Sequence, residues 1–195
     1  MLDLAPAARE VATLLDGVAD DQLDDPTPCE DTSVAALLAH LQGLSLAFTW
    51  AARKTPPPEG AAPRADAAAL DPNWRAAIPQ RLDELVAAWR DESAWDGFTQ
   101  AGGFTLPGDV AGLVALDELV MHGWDLAKAT SQPFEPDATS AAAVLRFTEA
   151  SARPKNAAQR EGLFGPVVAV PEDASDFERA LGFAGRDPHW QPAAR

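Results

Sequence analysis

The chain has 195 residues and a formal net charge of −15, from 15 Lys and Arg against 30 Asp and Glu. Phosphate backbones and anionic lipid surfaces repel such a charge, and no run of basic residues offsets it, so we expect no nucleic-acid and no membrane partner. The single cysteine, Cys29, excludes an intramolecular disulfide framework. The chain begins without the features of a signal peptide and has no apolar stretch of about 18 residues. We therefore predict one cytoplasmic domain over residues 1–195.

The hydrophobic pattern has the period of helices. It predicts a first helix over about Ala5–Ala19, followed by a loop that contains two prolines. A second helix begins at an N-cap, Thr32 or Ser33, and runs to about Arg53. Residues 55–66 are rich in Pro and Ala and indicate a surface excursion.

Three further long helices are predicted, over residues 73–91, 109–130 and 137–151. Pro79 marks either a kink in the first of them or a later start. Residues 92–108 contain four glycines and one proline and are expected to form a long loop. From Gly162 onward the pattern predicts a short helix over Asp176–Phe183 and then a coil tail, residues 185–195, anchored by Trp190.

Long helices with little strand are typical of an all-α, antiparallel four-helix bundle, here with additional short helices. Bundles build metal and ligand sites in their cores from side chains on facing helices, which directs attention to the histidines. His40 lies mid-helix among small and apolar residues. His122 follows Glu118 by four residues, so both project from one face of the fourth helix. That face is otherwise mostly small and apolar, and a carboxylate buried there needs a partner.

Two imidazoles and one carboxylate from facing helices form the ligand set of a catalytic zinc site with open positions. The same set suits iron, and nickel is also compatible with it. The alternative is an ordinary Glu–His pair on a helix surface together with a core histidine, and the spacing alone does not separate the two.

The segment Thr27-Pro28-Cys29, the helix around His40 and the block Asp-Glu-x-x-x-His-Gly-Trp-Asp at residues 117–125 resemble the DinB-like superfamily. More closely, they resemble its actinobacterial branch related to the metal-binding domain of mycothiol-dependent maleylpyruvate isomerase. The resemblance covers nearly the whole chain, including residues 164–171 and 185–188. One departure is Thr32, where relatives often have Trp.

The resemblance implies a four-helix bundle that holds one divalent ion, zinc or nickel, through His40, Glu118 and His122. It also implies a transferase or isomerase that uses a low-molecular-weight thiol such as mycothiol against a small electrophile. The isomerase carries a further C-terminal domain, so we do not expect maleylpyruvate isomerisation itself from this chain.

The alternative function is a non-catalytic metal-binding module in stress response or partner binding. A third reading, a metal-free bundle, requires that His40 not face the Glu118–His122 pair. Nothing in the sequence specifies a homodimer interface, although bundles commonly pair.

Several other residues have two interpretations. Cys29 precedes a helix and is either a reactive thiol or, as the sequence favours, a half-buried turn residue. Asp125 either orients His122 or caps the surface, and Asp117 points about 100° away from Glu118 on the helix. His189 is not expected to be a ligand. The tryptophans are most simply core or rim packing, and one or two are candidates to line a pocket above the metal.

Overall fold

The structure, a computed structural model, describes residues 1–58, 64–160 and 163–192. In these residues it contains seven α-helices: Ala5–Asp16 (α1), Val34–Ala52 (α2), Trp74–Trp89 (α3), Gly108–Ala129 (α4), Ala138–Ser151 (α5), Ala157–Arg160 (α6) and Asp176–Phe183 (α7). Two antiparallel strands, Phe98–Ala101 (β1) and Phe104–Pro107 (β2), form a hairpin before α4. Helices α1 to α4 form the bundle, α5 packs against α4, and α7 packs against α5.

Hydrogen bonds between helices establish the directions in which they run. Arg75, near the start of α3, donates to the carbonyl of Val18 just after α1. Trp89, at the end of α3, donates to the carbonyl of Phe48 near the end of α2. The Gln132 side chain, just after α4, donates to a carbonyl near the end of α1. Helices α1 and α4 therefore run in one direction and α2 and α3 in the other.

The four-helix bundle and the all-α class are confirmed, apart from the small hairpin. The N-cap of α2 is Ser33, whose hydroxyl accepts from the backbone N–H of Ala36. Helix α3 continues through Pro79 rather than starting after it. The first helix ends at Asp16, earlier than predicted, because the chain turns at Gly17. Residues 59–63 of the predicted Pro/Ala-rich excursion and residues 193–195 of the tail lie outside the described residues, as do residues 161–162.

The expectation that no stretch of about 18 residues is apolar enough to span a bilayer was wrong by composition, because helix α2 is long and apolar enough to pass for a membrane span by length and composition. In the folded chain, 67% of its most apolar window is buried inside the protein. The helix packs against both α3 and α4, so its apolar character is that of a central core helix.

The prediction of a long loop over residues 92–108 was wrong, because this segment forms a 3-10 turn at Glu92–Trp95 followed by the hairpin. Gly102 and Gly103 have φ values of 58° and 83°, which glycine adopts without a steric penalty and which a two-residue hairpin turn requires. The Thr99 hydroxyl donates to the carbonyl of Ala51 at 2.6 Å and joins the hairpin to α2. Four-residue strands are too short to display a clear alternation in sequence.

Gly112 on α4 allows the side chain of Trp95 to pack against the helix. A Cβ atom at position 112 would lie 2.5 Å from the Trp95 ring and 2.9 Å from the Trp89 ring.

We expect Gly112→Ala to destabilise the protein by about 1–3 kcal/mol through overpacking, although alanine favours helices. Denaturant unfolding measures this change. In a Trp95→Leu background the loss should shrink, and an increase in stability for Gly112→Ala alone would contradict the packing.

Candidate metal centre

Helices α2 and α4 bring the three predicted ligands together. His40 Nε2 lies 3.3 Å from Glu118 Oε2, and His122 Nε2 lies 3.1 Å from the same oxygen. The two imidazole rings meet edge to face, with centroids 4.8 Å apart. Glu118 and His122 occupy one face of α4 because they are four residues apart, and His40 faces them from the middle of α2. His40 therefore faces the Glu118–His122 pair, so the condition that the metal-free bundle interpretation required is not met.

A buried carboxylate supports His122 from behind. His122 Nδ1 lies 3.0 Å from Asp125 Oδ2, three residues further along α4. Asp125 is fully buried, so its charge requires compensation. Arg186, in the segment after α7, supplies it by donating to both carboxylate oxygens, at 2.9 Å and 3.3 Å. The Asp125 carboxylate thereby fixes the orientation of the imidazole and directs Nε2 toward Glu118.

The pKa values at the site reflect two opposing effects, burial of the titratable groups and the charges of their neighbours. Burial alone would lower the pKa of His122, but the carboxylates of Asp125 and Glu118 raise it to about 10. Burial alone would raise the pKa of Glu118, but hydrogen bonds from His122 and His40 hold it well below its ordinary value. Burial would likewise raise the pKa of Asp125, but the Arg186 charge holds it down. The site therefore retains the buried Asp125 carboxylate and the partly exposed Glu118 carboxylate in their charged form and favours positive charge beside them.

The donor set fits a divalent transition-metal ion. Ligand atoms about 2.1 Å from zinc lie roughly 3.0–3.4 Å from one another at right or tetrahedral angles. The 3.1 Å and 3.3 Å separations from Glu118 Oε2 fall in this range. One ligand atom from each of His40, Glu118 and His122 lies within 4.8 Å of the other two. Asp125 accepts the Nδ1 hydrogen of His122, as carboxylates commonly do for a histidine that binds a metal through Nε2.

The three donor residues line a cavity of about 520 Å³. The loop that carries Cys29 lines it too, as do residues 163–166 and the pair Gly185–Arg186. The side chains of His40 and Glu118 are 22% and 25% exposed, so molecules in the cavity can reach them. The geometry therefore combines a charged, metal-compatible donor set with space for a small molecule beside it.

Asp117 lines the same cavity but makes none of the contacts that hold the donor set. It is 5% exposed, and its Oδ1 atom has no hydrogen-bond partner among the described residues. Burial and the adjacent Glu118 charge raise the pKa of Asp117 to about 8. The helical wheel separates Asp117 from Glu118 as predicted, but it gives no sign of a buried polar group in the pocket.

The other predicted candidates have different outcomes. Asp125 contacts His122, as one of its two readings required. His189 is exposed and its backbone N–H bonds to Asp187, away from the donor set. Among the described residues that line the cavity there is no tryptophan, and the aromatic side chain there is Phe164. The tryptophans therefore take the packing role that the sequence favours, with Trp74, Trp89 and Trp124 buried, and the alternative of a tryptophan lining the pocket is not met.

Sequence reasoning missed Arg186 as a site residue and assigned residues 185–195 to a coil tail. The Gly185–Arg186 pair was noticed only as part of a resemblance. The available signal was Asp125, because a carboxylate on the buried face of a helix requires a cation from elsewhere in the chain. Only the folding of the C-terminal segment over α4 reveals which cation this is.

Comparison with known proteins agrees with this architecture. The sequence profile described as the mycothiol maleylpyruvate isomerase N-terminal domain matches residues 4–127. Uncharacterized proteins of Mycobacterium tuberculosis, from strains CDC 1551 and H37Rv, are each 31% identical over 187 residues, covering 90% of this chain and 91% of theirs. The crystal structure of the mycothiol-dependent maleylpyruvate isomerase is 19% identical and has a TM-score of 0.63 over 96% of this chain and 79% of that chain, which shows a shared fold. The chain therefore belongs to the family of the mycothiol maleylpyruvate isomerase N-terminal domain.

Proposed function

We propose that this protein binds one divalent metal ion, zinc or nickel, through His40, Glu118 and His122. We further propose that it catalyses transfer or isomerisation of a small electrophile with a low-molecular-weight thiol, mycothiol, as cosubstrate. The observation that carries the proposal is the convergence of three donor atoms on the wall of an open cavity. Membership of the family and the fold shared with a mycothiol-dependent enzyme support the choice of thiol.

A bound ion would act as a Lewis acid that favours the thiolate form of the cosubstrate. The chain's own residues prepare the site for it. Asp125 holds the Nδ1 hydrogen of His122, so Nε2 is the ring nitrogen that would bind the ion, after releasing the hydrogen that it donates to Glu118. Arg186 compensates the buried charge of Asp125, so the carboxylate remains in place behind the His122 imidazole.

The cavity favours a catalyst over the alternative of a non-catalytic metal module. A closed or shallow site would be sufficient for a module, whereas 520 Å³ lies within the usual range of small-molecule pockets, about 300–1,000 Å³. The pocket is lined by charged groups and by apolar side chains such as Leu37 and Phe164. Such a lining suits a small polar molecule with an apolar part.

Metal content tests the donor set directly. Protein purified without a histidine tag and incubated with zinc should retain about one ion per chain, and His122→Ala should lose it because only two of the three donors remain. His189→Ala removes an exposed histidine and should retain the ion. Elemental analysis measures all three. An absence of metal in the parent protein, or equal retention by both variants, would contradict the proposal.

The same samples separate the two functions. With mycothiol and a chromogenic electrophile, the metal-loaded parent should form a thiol conjugate faster than the His122→Ala variant or the chelated parent does. Metal binding without any such acceleration across a panel of electrophiles would instead support the non-catalytic module.

The support from Asp125 has its own measurable effect. We expect Asp125→Asn to weaken zinc affinity by about 10–100-fold, as is usual when the carboxylate behind a metal-binding histidine is removed. Asp109→Asn, at the exposed start of the same helix, should leave the affinity unchanged. Competition against a chromogenic zinc chelator measures both. Equal affinities for the two variants would show that Asp125 does not support the site.

The Asp125–Arg186 pair should be important for stability even without a metal. Arg186→Ala removes the guanidinium that compensates the buried Asp125 charge and leaves His122 as the remaining partner, so we expect a loss of about 3–5 kcal/mol in the free energy of unfolding. Arg179→Ala breaks an exposed 3.6 Å pair with Asp176 and should change stability by only about 0–1 kcal/mol. Denaturant titrations compare the two. Similar losses would mean that burial of the Asp125 pair is unimportant.

A further inference from the structure

The chain's only cysteine lies beside the candidate metal centre. Cys29 is half-buried in the loop before α2 and lines the 520 Å³ cavity. Its Sγ atom, a His122 ring nitrogen and an Asp125 carboxylate oxygen lie within 4.8 Å of one another. The sequence favours a turn residue without special reactivity at this position, because no basic side chain is adjacent to Cys29 along the chain. Tertiary structure instead places the Arg186 guanidinium on the same cavity wall.

The loop holds the thiol in a defined position. The Thr27 hydroxyl accepts from the backbone N–H of Cys29 and lies within hydrogen-bond distance of the carbonyls of Cys29 and Thr32. The backbone N–H of Thr32 closes the turn on the Cys29 carbonyl at 3.1 Å. These hydrogen bonds hold the backbone at Cys29, and its side chain lines the cavity, so molecules that enter the cavity reach the thiol.

A second feature indicates that the cavity receives a hydrogen-bonding ligand. Asp117 is 5% exposed, and its Oδ1 atom has no partner among the described residues. An orphaned buried polar atom is rare in folded proteins unless a bound molecule or water satisfies it. Because Asp117 and Cys29 line the same cavity, a ligand with both a hydrogen-bonding group and a sulfur atom would engage the two residues together.

We propose that Cys29 is a site of reversible mixed-disulfide formation with a low-molecular-weight disulfide, namely the oxidised form of the thiol that the pocket accepts. This inference rests on the proposed function, because it assigns to the same pocket a regulatory state under oxidising conditions. The attached thiol moiety occupies the cavity beside His122 and excludes a substrate. Since the chain has no other cysteine, no intramolecular disulfide competes with this product.

The exchange balances without any further oxidant. Cys29 gives up its proton, and its sulfur attacks one sulfur atom of the incoming disulfide. One Cys29–S–S–R bond forms as the original S–S bond breaks, and the departing half leaves as a free thiol that carries the proton. Excess free thiol reverses the reaction by attacking the mixed disulfide.

Intact-mass spectrometry tests the proposal on the full-length, zinc-loaded protein. After incubation with the disulfide of mycothiol, the mass should increase by one mycothiol less two hydrogens, and free thiol should reverse the shift. Cys29→Ser should show no adduct while still retaining zinc. An adduct on Cys29→Ser, no adduct on the parent protein, or loss of zinc from Cys29→Ser would overturn the proposal, the last because Cys29 would then be a metal ligand.

A relocated cysteine separates pocket-directed exchange from general thiol reactivity. In the Cys29→Ser background, Thr139→Cys places a thiol at an exposed position near the start of α5. For each cysteine, the rate of reaction with mycothiol disulfide is divided by the rate with methyl methanethiosulfonate, and this ratio should be higher for Cys29 than for the relocated cysteine. Asp117→Asn should slow the reaction of Cys29 with mycothiol disulfide and leave its reaction with methyl methanethiosulfonate unchanged. Equal ratios at the two positions would contradict a pocket-directed reaction.

These experiments also distinguish failure of this inference from failure of the proposed function. A zinc-binding protein with thiol-transfer activity but an unreactive Cys29 would overturn this inference alone. Adduct formation in a chain that binds no metal would overturn the proposed function and leave the modification site in place.

Discussion

The buried carboxylate of Asp125 is the group on which the rest of the candidate site depends. It lies on α4 with no exposed surface, and it is satisfied from two sides, by His122 and by Arg186. Burial of a carboxylate in a helical core is strongly unfavourable unless such partners are present. Because the partners come from α4 and from the segment after α7, one charged group ties the C-terminal segment to the bundle and orients an imidazole at the same time.

This constraint explains why the site lies where helices α2 and α4 meet the C-terminal segment. The Glu118 side chain receives His122 from its own helix and His40 from α2, so the bundle supplies the whole donor set. The loop before α2 and residues 163–166 then surround the donors without covering them, which leaves a cavity. Rigid helices position the charged groups, and the segments around them shape the space that a ligand would occupy.

The same cavity contains groups that the donor set does not use. Asp117 presents a polar atom without a partner among the described residues, and Cys29 presents a thiol on a hydrogen-bonded turn. Both residues lie beside charges that tertiary folding assembles from distant parts of the chain. The proposed thiol cosubstrate and the cysteine in the same pocket would give it two related chemistries, metal-assisted reaction of the thiol and exchange with its disulfide.

Sequence alone determined much of the bundle and the donor set. Helical periodicity located α2 to α5 to within a few residues, because buried faces repeat at a regular spacing. The i,i+4 spacing placed Glu118 and His122 on one face, since that geometry is local. Tertiary structure decided what local geometry does not contain: that His40 faces this pair, that Arg186 neutralises Asp125, that Cys29 lines the pocket, and that residues 98–107 form a hairpin. Each of these depends on contacts between segments far apart in the chain, whose partners a local pattern does not specify.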